Sequence, residues 1–357
     1  MDYSYNSSYN QSGEPDYYEV YTKAQTKIAK GVFSRFHAAL LAYILSAYAI
    51  SILAELVLLF TLGADGMTAF INNHVYVGWL LSFLPMYLFG LPVFYLIIKD
   101  MKTVQLEKTK MGAAEFFSMF LICQLCITVG SIIGNTLNNF FGVLKGSSVT
   151  DHTSELISSM PIWLTILVVV IIGPVIEELI FRKLMIDRLS RYGNTVAILV
   201  SAISFGLFHG NLYQFFYAAL VGIVFGFMYA KTRNVIYPIL MHVLVNFLGS
   251  VIPSLLTDRL NELITMMSSL YEGIEVDMSR FFKNLMIAGS YSAIQYAMII
   301  GGAVMLYKFI RSKKYKIRDY CEYRLPLDRA ANIIIVNAGS IAFLVISVIL
   351  FAYSVIM

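Results

Sequence analysis

The chain has 357 residues, of which 58% are hydrophobic and only 13% are charged, and its mean hydropathy is +0.71. A soluble domain carries about twice that charged fraction. The composition therefore excludes an ordinary soluble protein and predicts a polytopic protein of the lipid bilayer. The formal net charge of +4 is small and the basic residues are scattered between apolar segments, which excludes a nucleic-acid-binding surface.

The N-terminal residues 1–30 are predicted to form a disordered cytosolic tail. The first part of this segment is polar, rich in Tyr, Ser and Asn, and lacks the apolar core of a cleavable signal peptide. No internal repeat divides the remainder of the chain. Residues 31–357 are therefore predicted to form a single membrane domain.

Apolar segments of spanning length follow in chain order, and two of them are short. These two are separated by Gly210-Asn211, which predicts a helical hairpin or one broken helix. The segments are 36–62, 74–98, 112–141, 161–187, 194–210, 212–230, 234–255, 284–308 and 331–356. The fold class predicted is all-α, a polytopic membrane helical bundle of about nine transmembrane segments.

Lysine and arginine are concentrated in alternate connecting segments. By the positive-inside rule this places the N-terminus in the cytosol and the C-terminus outside, and we expect the protein in the cell membrane. The segment 256–282 falls on the outer side and carries more acidic than basic residues. It is predicted to be an acidic external loop.

Polar side chains concentrate in residues 160–255, which hold spans four to seven and are predicted to be the catalytic core. A carboxylate near the middle of a membrane helix costs about 2.5–3.5 kcal/mol on insertion scales, so two adjacent ones indicate function rather than stability. The polar motifs, one on each of three spans, are Glu177-Glu178-Leu-Ile-Phe-Arg182, Phe205-Gly-Leu-Phe-His209 and His242-Val-Leu-Val-Asn246.

Helical geometry separates the two glutamates. Glu178 and Arg182 are four residues apart and can form an ion pair on one helix face, in the favourable acid-first order. Glu177 points about 100° away around the helix, which leaves it free for chemistry. His242 and Asn246 share a face as well. A free carboxylate, two histidines and an amide suit peptide hydrolysis, in which a base activates water and donors stabilise the oxyanion.

The distance along the helices sets a condition on this site. His209 lies fifteen residues into the fifth segment, far from the end of the fourth segment. It can meet Glu177 only if the fourth segment continues as one long helix, from about 161 to 190. We therefore predict that helix, with residues 177, 209, 242 and 246 around a shared pocket.

The motifs EExxxR, FxxxH and HxxxN, in this order, resemble those of the CAAX-protease and bacteriocin-processing family of intramembrane endopeptidases (CPBP or Abi). The resemblance covers about residues 160–255. The roles that it implies are water activation by Glu177 and His209, an oxyanion hole of His242 and Asn246, and orientation of the site by Glu178 and Arg182. The substrate that it implies is a membrane-anchored or lipidated protein or peptide.

Several alternatives stay open from the sequence. A mechanism with no metal or other cofactor is favoured because Asn246 shares the helix face of His242 and no second shell of a metal site is evident, but Glu177, His209 and His242 could instead form a zinc site. The motifs GxSxG and HExxH are absent, which argues against a rhomboid-like serine site and the usual zinc-protease helix. The alternative functions are a proton-coupled membrane transporter, or a non-catalytic membrane protein of the bacteriocin-immunity type.

Overall fold

The computed structural model describes residues 23–313, 317, 321–325 and 327–356. Helices account for nearly all of them, and the described residues form no β-strand beyond one isolated bridge between Tyr192 and Cys321. Two short helices, His152–Ser158 and Leu327–Ile335, connect longer ones. The long helices are α1 (Lys23–Asn73, with a kink at Gly63), α2 (Tyr76–Ile98), α3 (Ala113–Lys145), α4 (Ile162–Leu189), α5 (Asn194–Phe208), α6 (Leu212–Thr232), α7 (Ile236–Tyr271), α8 (Met278–Arg311) and α9 (Ala338–Ile356).

Among the described residues, eight helices are long and apolar enough to cross a membrane, and α5 is the long helix that falls short. It has 15 residues and therefore a length of about 22 Å, less than the bilayer core of about 30 Å. The prediction of an all-α polytopic bundle is confirmed. The predicted hairpin is confirmed too, because Gly210, with φ +68°, ends α5 and the Asn211 side chain caps α6.

Two segments predicted to be irregular contain helix instead. Helix α1 begins at Lys23, so residues 23–30 of the predicted tail are helical, while residues 1–22 lie outside the described part of the chain. The predicted loop 256–282 is also mostly helical, because α7 continues to Tyr271 and α8 begins at Met278. The charged residues from Asp258 onward lie on a continuing helix, where the prediction ended the span.

The chain divides into two compact units. One consists of the described residues up to Lys102, Arg191–Gly193 and Cys321–Ser347. In this unit, α1 packs against α2, and His37 on α1 contacts the Ser340 hydroxyl at 2.8 Å. The other unit consists of Thr103–Ser190, Asn194–Tyr320 and the segment from Val348, and it holds α3 to α8. The prediction of a single membrane domain stays a prediction.

Helix α6 packs closely against α3 on one side and α5 on the other, and glycines line both contacts. A Cβ atom added at Gly130 on α3 would lie 2.3 Å from the Tyr217 Cα atom. A Cβ atom at Gly206 on α5 would lie 2.7 Å from the Phe215 carbonyl oxygen. Residues without side chains allow helix backbones to approach in this way, as is common between membrane helices. The contacts fix the start of α6 beside the end of α5.

We expect Gly130→Ala to lower the melting temperature of the purified protein, because its methyl group would overlap the backbone of α6. Overpacking of this kind costs about 1–3 kcal/mol. The matched control is Gly289→Ala on α8, where an added Cβ meets nothing within 4 Å. Alanine has the higher helix propensity, so this control should melt at the same or a higher temperature. Equal shifts in thermal unfolding for both variants would contradict the close α3–α6 contact.

Candidate active site

Helix α4 carries both glutamates and changes its hydrogen-bonding pattern around them. Residues Thr165–Ile172 and Leu179–Ile186 are π-helical, and the turn Gly173–Glu178 between them is α-helical. Such π segments occur frequently at functional sites. The helix as a whole runs from Ile162 to Leu189 without a break. The prediction of one long helix over about 161–190 is therefore confirmed.

Glu178 and Arg182 form the predicted ion pair, with 2.9 Å between Glu178 Oε2 and Arg182 Nε. Both side chains are 0% exposed. The contact is a close ion pair without the alignment of a hydrogen bond. The guanidinium group also lies 4.7 Å from the centre of the Phe205 ring and 5.4 Å from that of Phe225. Aromatic faces stabilise a buried cation, so the arginine is held on several sides.

His242 on α7 lies between the two glutamates. Its Nδ1 atom is 2.9 Å from Glu178 Oε1, and its Nε2 atom is 3.6 Å from Glu177 Oε2. A carboxylate accepts hydrogen bonds, so Nδ1 carries the proton that is donated to Glu178. This bond fixes the orientation of the ring and directs Nε2 toward Glu177. The two glutamates therefore differ: Glu178 is buried and holds the His242 ring, whereas the Glu177 side chain remains 28% exposed.

His209 stands at the end of α5, where Gly210 stops the helix. Its Nδ1 atom is 2.8 Å from the Phe205 carbonyl oxygen, which makes Nδ1–H a donor and leaves Nε2 as the basic nitrogen. The His209 ring packs edge-to-face on the Phe205 ring at 4.8 Å, and the His242 ring contacts the same phenylalanine at 5.8 Å. Phe205 thus holds both histidines. The charge on Glu177 also lies within electrostatic range of His209.

Asn246 lies one turn after His242 on α7, as predicted, but its described contact is to the backbone of α4. Its Nδ2 atom donates to the Val169 carbonyl oxygen at 2.9 Å. One of the two amide hydrogens is therefore used between helices, and the second remains available. The structure brings Glu177, Glu178, Arg182 and His242 into direct contact, and it places His209 beside them through Phe205. Their roles in catalysis stay predictions.

Other polar residues near His209 were missed by the sequence analysis. Asn211 donates from Nδ2 to the His209 carbonyl oxygen at 3.1 Å and to Gln214 Oε1 at 3.0 Å, while its Oδ1 atom accepts from the Gln214 backbone N–H. The pattern Asn-x-x-Gln is a helix N-terminal signal, and it could have identified Gln214 in advance.

A second buried polar network, also missed, ties the end of α4 to the neighbouring helices. Tyr229 on α6 donates to Asp187 Oδ1 at 2.7 Å. Arg233, which follows α6 with φ 52°, donates to Ser190 Oγ at 3.0 Å and to Asn194 Oδ1 at 2.7 Å. Asp187, Ser190, Asn194 and Arg233 are all buried. The network fixes the relative positions of α4, α5 and α6, and thereby of Glu177 and His209.

A bound metal ion would require several His, Cys, Asp or Glu side chains close together. Within the part of the chain that the structure describes, no three His, Cys, Asp or Glu residues form a group that could hold a metal ion. Glu177, His209 and His242, the alternative zinc ligands, therefore do not form such a group there. The choice between a metal-free site and a zinc site stays a prediction.

Comparison with known proteins agrees with this geometry. Residues 159–248 match the family model described as Type II CAAX prenyl endopeptidase Rce1-like. This segment is therefore similar to Rce1-like CAAX protease domains. It contains the two glutamates, both histidines of the site, Arg182 and Asn246, so the resemblance seen in the sequence motifs is confirmed.

Two relatives support the same assignment. The chain is 29% identical over 210 residues to the Bacillus subtilis (strain 168) protein named "Putative membrane peptidase YdiL", a match that covers 58% of this chain and 84% of the relative. It is 30% identical over 141 residues to the Staphylococcus aureus (strain USA300) "Membrane-embedded CAAX protease MroQ", covering 36% of this chain and 52% of the relative. No solved structure gives a significant match. The chain is accordingly a multi-pass membrane peptidase.

Proposed function

We propose that this membrane peptidase cleaves a peptide bond of a membrane-anchored or lipidated protein or peptide with a water molecule activated by Glu177 and His209. The proposal rests mainly on the difference in burial and ion pairing between the two adjacent glutamates. Glu178 is 0% exposed and bound by Arg182 and His242, whereas Glu177 is 28% exposed. A site built only for helix packing would have no reason to leave one of two intramembrane carboxylates open.

Glu177 acts as the general base in this mechanism. It takes a proton from water, the resulting hydroxide attacks the scissile carbonyl carbon, and a tetrahedral intermediate with an oxyanion forms. The Glu177 carboxylic acid then gives its proton to the nitrogen of the leaving amine. His209, with its Nδ1–H bonded to the Phe205 carbonyl oxygen, presents Nε2 as the acceptor that orients the attacking water.

The oxyanion is stabilised by donors from α7. Asn246 offers the amide hydrogen that is not bonded to the Val169 carbonyl oxygen. His242, whose ring is fixed by its Nδ1 bond to Glu178, donates from Nε2 when it is protonated. Glu178 and Arg182 therefore act indirectly, by holding the His242 ring in place. Preorganised donors of this kind contribute about 10²–10³ each to kcat.

The proposed chemistry uses no cofactor. The alternative is a zinc-dependent mechanism, and the experiment below distinguishes the two. The proposed orientation places the N-terminus in the cytosol of a cell membrane. It is supported by the basic residues Lys27, Lys30 and Arg35 at the start of α1, which the positive-inside rule assigns to the cytosolic side.

The test is cleavage by the purified full chain in liposomes of three peptides of one sequence: one lipidated, one tethered by a membrane helix, and one soluble. We expect cleavage of a membrane-bound form and not of the soluble one. His209→Ala should reduce the rate about 10²–10⁴-fold, since it removes a group that handles protons. The matched control is His37→Ala, which removes a buried histidine bonded to Ser340 in the other unit and should leave the rate unchanged.

Two outcomes would contradict the proposal. Cleavage that survives His209→Ala would reject the assigned site. Loss of cleavage with a strong chelator, followed by recovery with added zinc, would replace the metal-free mechanism with the zinc alternative.

A further inference from the structure

The carbonyl oxygen that binds Asn246 is left without a backbone partner by the sequence of α4. A helical carbonyl accepts from the backbone N–H four residues on in an α-helix and five residues on in a π-helix. For Val169 these donors belong to Gly173 and Pro174. The Gly173 N–H bonds to the Val168 carbonyl oxygen instead, and proline has no N–H. The Val169 carbonyl therefore has neither of its two backbone donors.

Asn246 on the neighbouring helix α7 supplies the missing hydrogen-bond donor. Its Nδ2 atom lies 2.9 Å from the Val169 oxygen, which satisfies an acceptor that would otherwise be exposed to an apolar environment. Pro174 itself is buried, in the α-helical turn that carries both glutamates. Pro174 thus leaves the Val169 carbonyl oxygen free, and Asn246 binds it, although the two residues are 72 positions apart in the sequence.

The hydrogen bond from Asn246 to the Val169 carbonyl oxygen directs the Asn246 amide toward the Glu177 carboxylate. Helical carbonyl groups point toward the C-terminus of the helix, so the Val169 oxygen is directed toward the turn that holds Glu177. Helical side chains lean back toward the N-terminus, so the Glu177 carboxylate is directed toward Val169. A bond between Asn246 and this carbonyl therefore places the remaining amide hydrogen on the approach to Glu177.

We propose that Pro174 is a positioning residue for the oxyanion-binding amide: by lacking an N–H, it reserves the Val169 carbonyl for Asn246 and so sets where the second Asn246 hydrogen points. This inference rests on the proposed function of Asn246. Pro174 touches no substrate and acts only through the asparagine.

The chain contains a matched control in Pro253. It follows the π segment Phe247–Val251 as Pro174 follows Thr165–Ile172, and the Ile252 N–H bonds to Phe247 across the same five-residue interval. In the part of the chain that the structure describes, no side chain donates to the corresponding Leu248 carbonyl oxygen. Pro253→Ala therefore makes the same chemical change without an asparagine to displace.

The experiment measures kcat, KM and melting temperature of the full chain in liposomes with a lipidated quenched-fluorescence peptide. Pro174→Ala supplies an N–H to Val169 and releases the amide, so kcat should fall by about tenfold or more while KM changes less than twofold. The melting temperature should stay equal or rise, because alanine continues a helix better than proline. Pro253→Ala should keep kcat. Loss of kcat with retained or higher stability is not the signature of a merely structural proline.

A double variant completes the test. If Pro174 acts through the amide, Pro174→Ala/Asn246→Ala should have the same kcat as Asn246→Ala alone. Full kcat in Pro174→Ala, or additive losses in the double variant, would overturn the inference. Hydrogen exchange of the Asn246 side chain by NMR gives a readout on the unmodified chain: one slowly exchanging hydrogen is expected, and fast exchange of both would overturn it.

The Glu177→Gln variant in the same assay keeps the two proposals apart. Cleavage retained by Glu177→Gln rejects the proposed function itself. Cleavage lost in Glu177→Gln but fully retained in Pro174→Ala rejects the positioning role alone.

Discussion

Glu177→Gln is expected to reduce kcat about 10²–10⁴-fold while the melting temperature stays at the wild-type value. The carboxamide has the size of the carboxylate, but it cannot take a proton from water. The Glu177 side chain is 28% exposed, and its described ion-pair contact is the 3.6 Å approach to His242. The substitution therefore removes the base without leaving a buried charge unpaired. Steady-state cleavage of a membrane-bound peptide and thermal unfolding, measured on the same preparation, check both parts.

Glu115→Gln is the matched control for this substitution. Glu115 lies in the first turn of α3, in the same unit, and its side chain is 30% exposed and paired with Lys231. The chemical change and the exposure are therefore alike, but the residue is outside the site. Its kcat should remain within about twofold of wild type. Equal losses in the two variants would show that loss of any partly exposed glutamate explains the effect, and would remove Glu177 from the mechanism.

Features that depend on neighbouring residues could be predicted from the sequence. The length of α4, the hairpin at Gly210 and the Glu178–Arg182 pair all follow from helical spacing within one segment. The motifs on α4, α5 and α7 also identified the helices that meet at the site. Spacing along one helix is enough for such inferences because α-helical geometry is nearly fixed.

Features that depend on packing between helices could not be predicted. The position of His242 between two carboxylates requires α7 to meet α4 at one particular height, which no local pattern encodes. The contact of Asn246 with Val169 depends on the π segment of α4, whose hydrogen bonds shift by one residue. The amide was therefore predicted on the correct helix face, while its interhelical bond was not foreseen.

The continuation of α7 beyond its predicted span was not foreseen, for a different reason. The span was predicted to end at residue 255, shortly before the charged residues Asp258 and Arg259, yet the helix continues to Tyr271. With α7 of 36 residues and α8 of 34, both helices exceed the roughly 20 residues that cross a bilayer core. Charge marks where a helix leaves the apolar layer, and it does not mark where the helix ends.

Arg182→Leu is expected to be the most destabilising single substitution at the site, at about 3–5 kcal/mol. The guanidinium group is 0% exposed and is paired with an equally buried Glu178 carboxylate. Removing it leaves that charge with His242 as its remaining described partner, in surroundings that cannot solvate an anion. The free energy of unfolding in a detergent–denaturant titration measures the effect. The control is Arg280→Leu, whose side chain is 63% exposed and whose pair with Glu262 should contribute about 0–1 kcal/mol.

The double variant Glu178→Leu/Arg182→Leu separates stability from catalysis. Because it buries no unpaired charge, it should recover much of the stability that Arg182→Leu loses. It should not recover activity, because His242 Nδ1 no longer has the carboxylate that fixes its ring at 2.9 Å. A double variant that regains both would mean that the pair only joins turns of α4. An Arg182→Leu variant as stable as Arg280→Leu would mean that the two charges are not buried together.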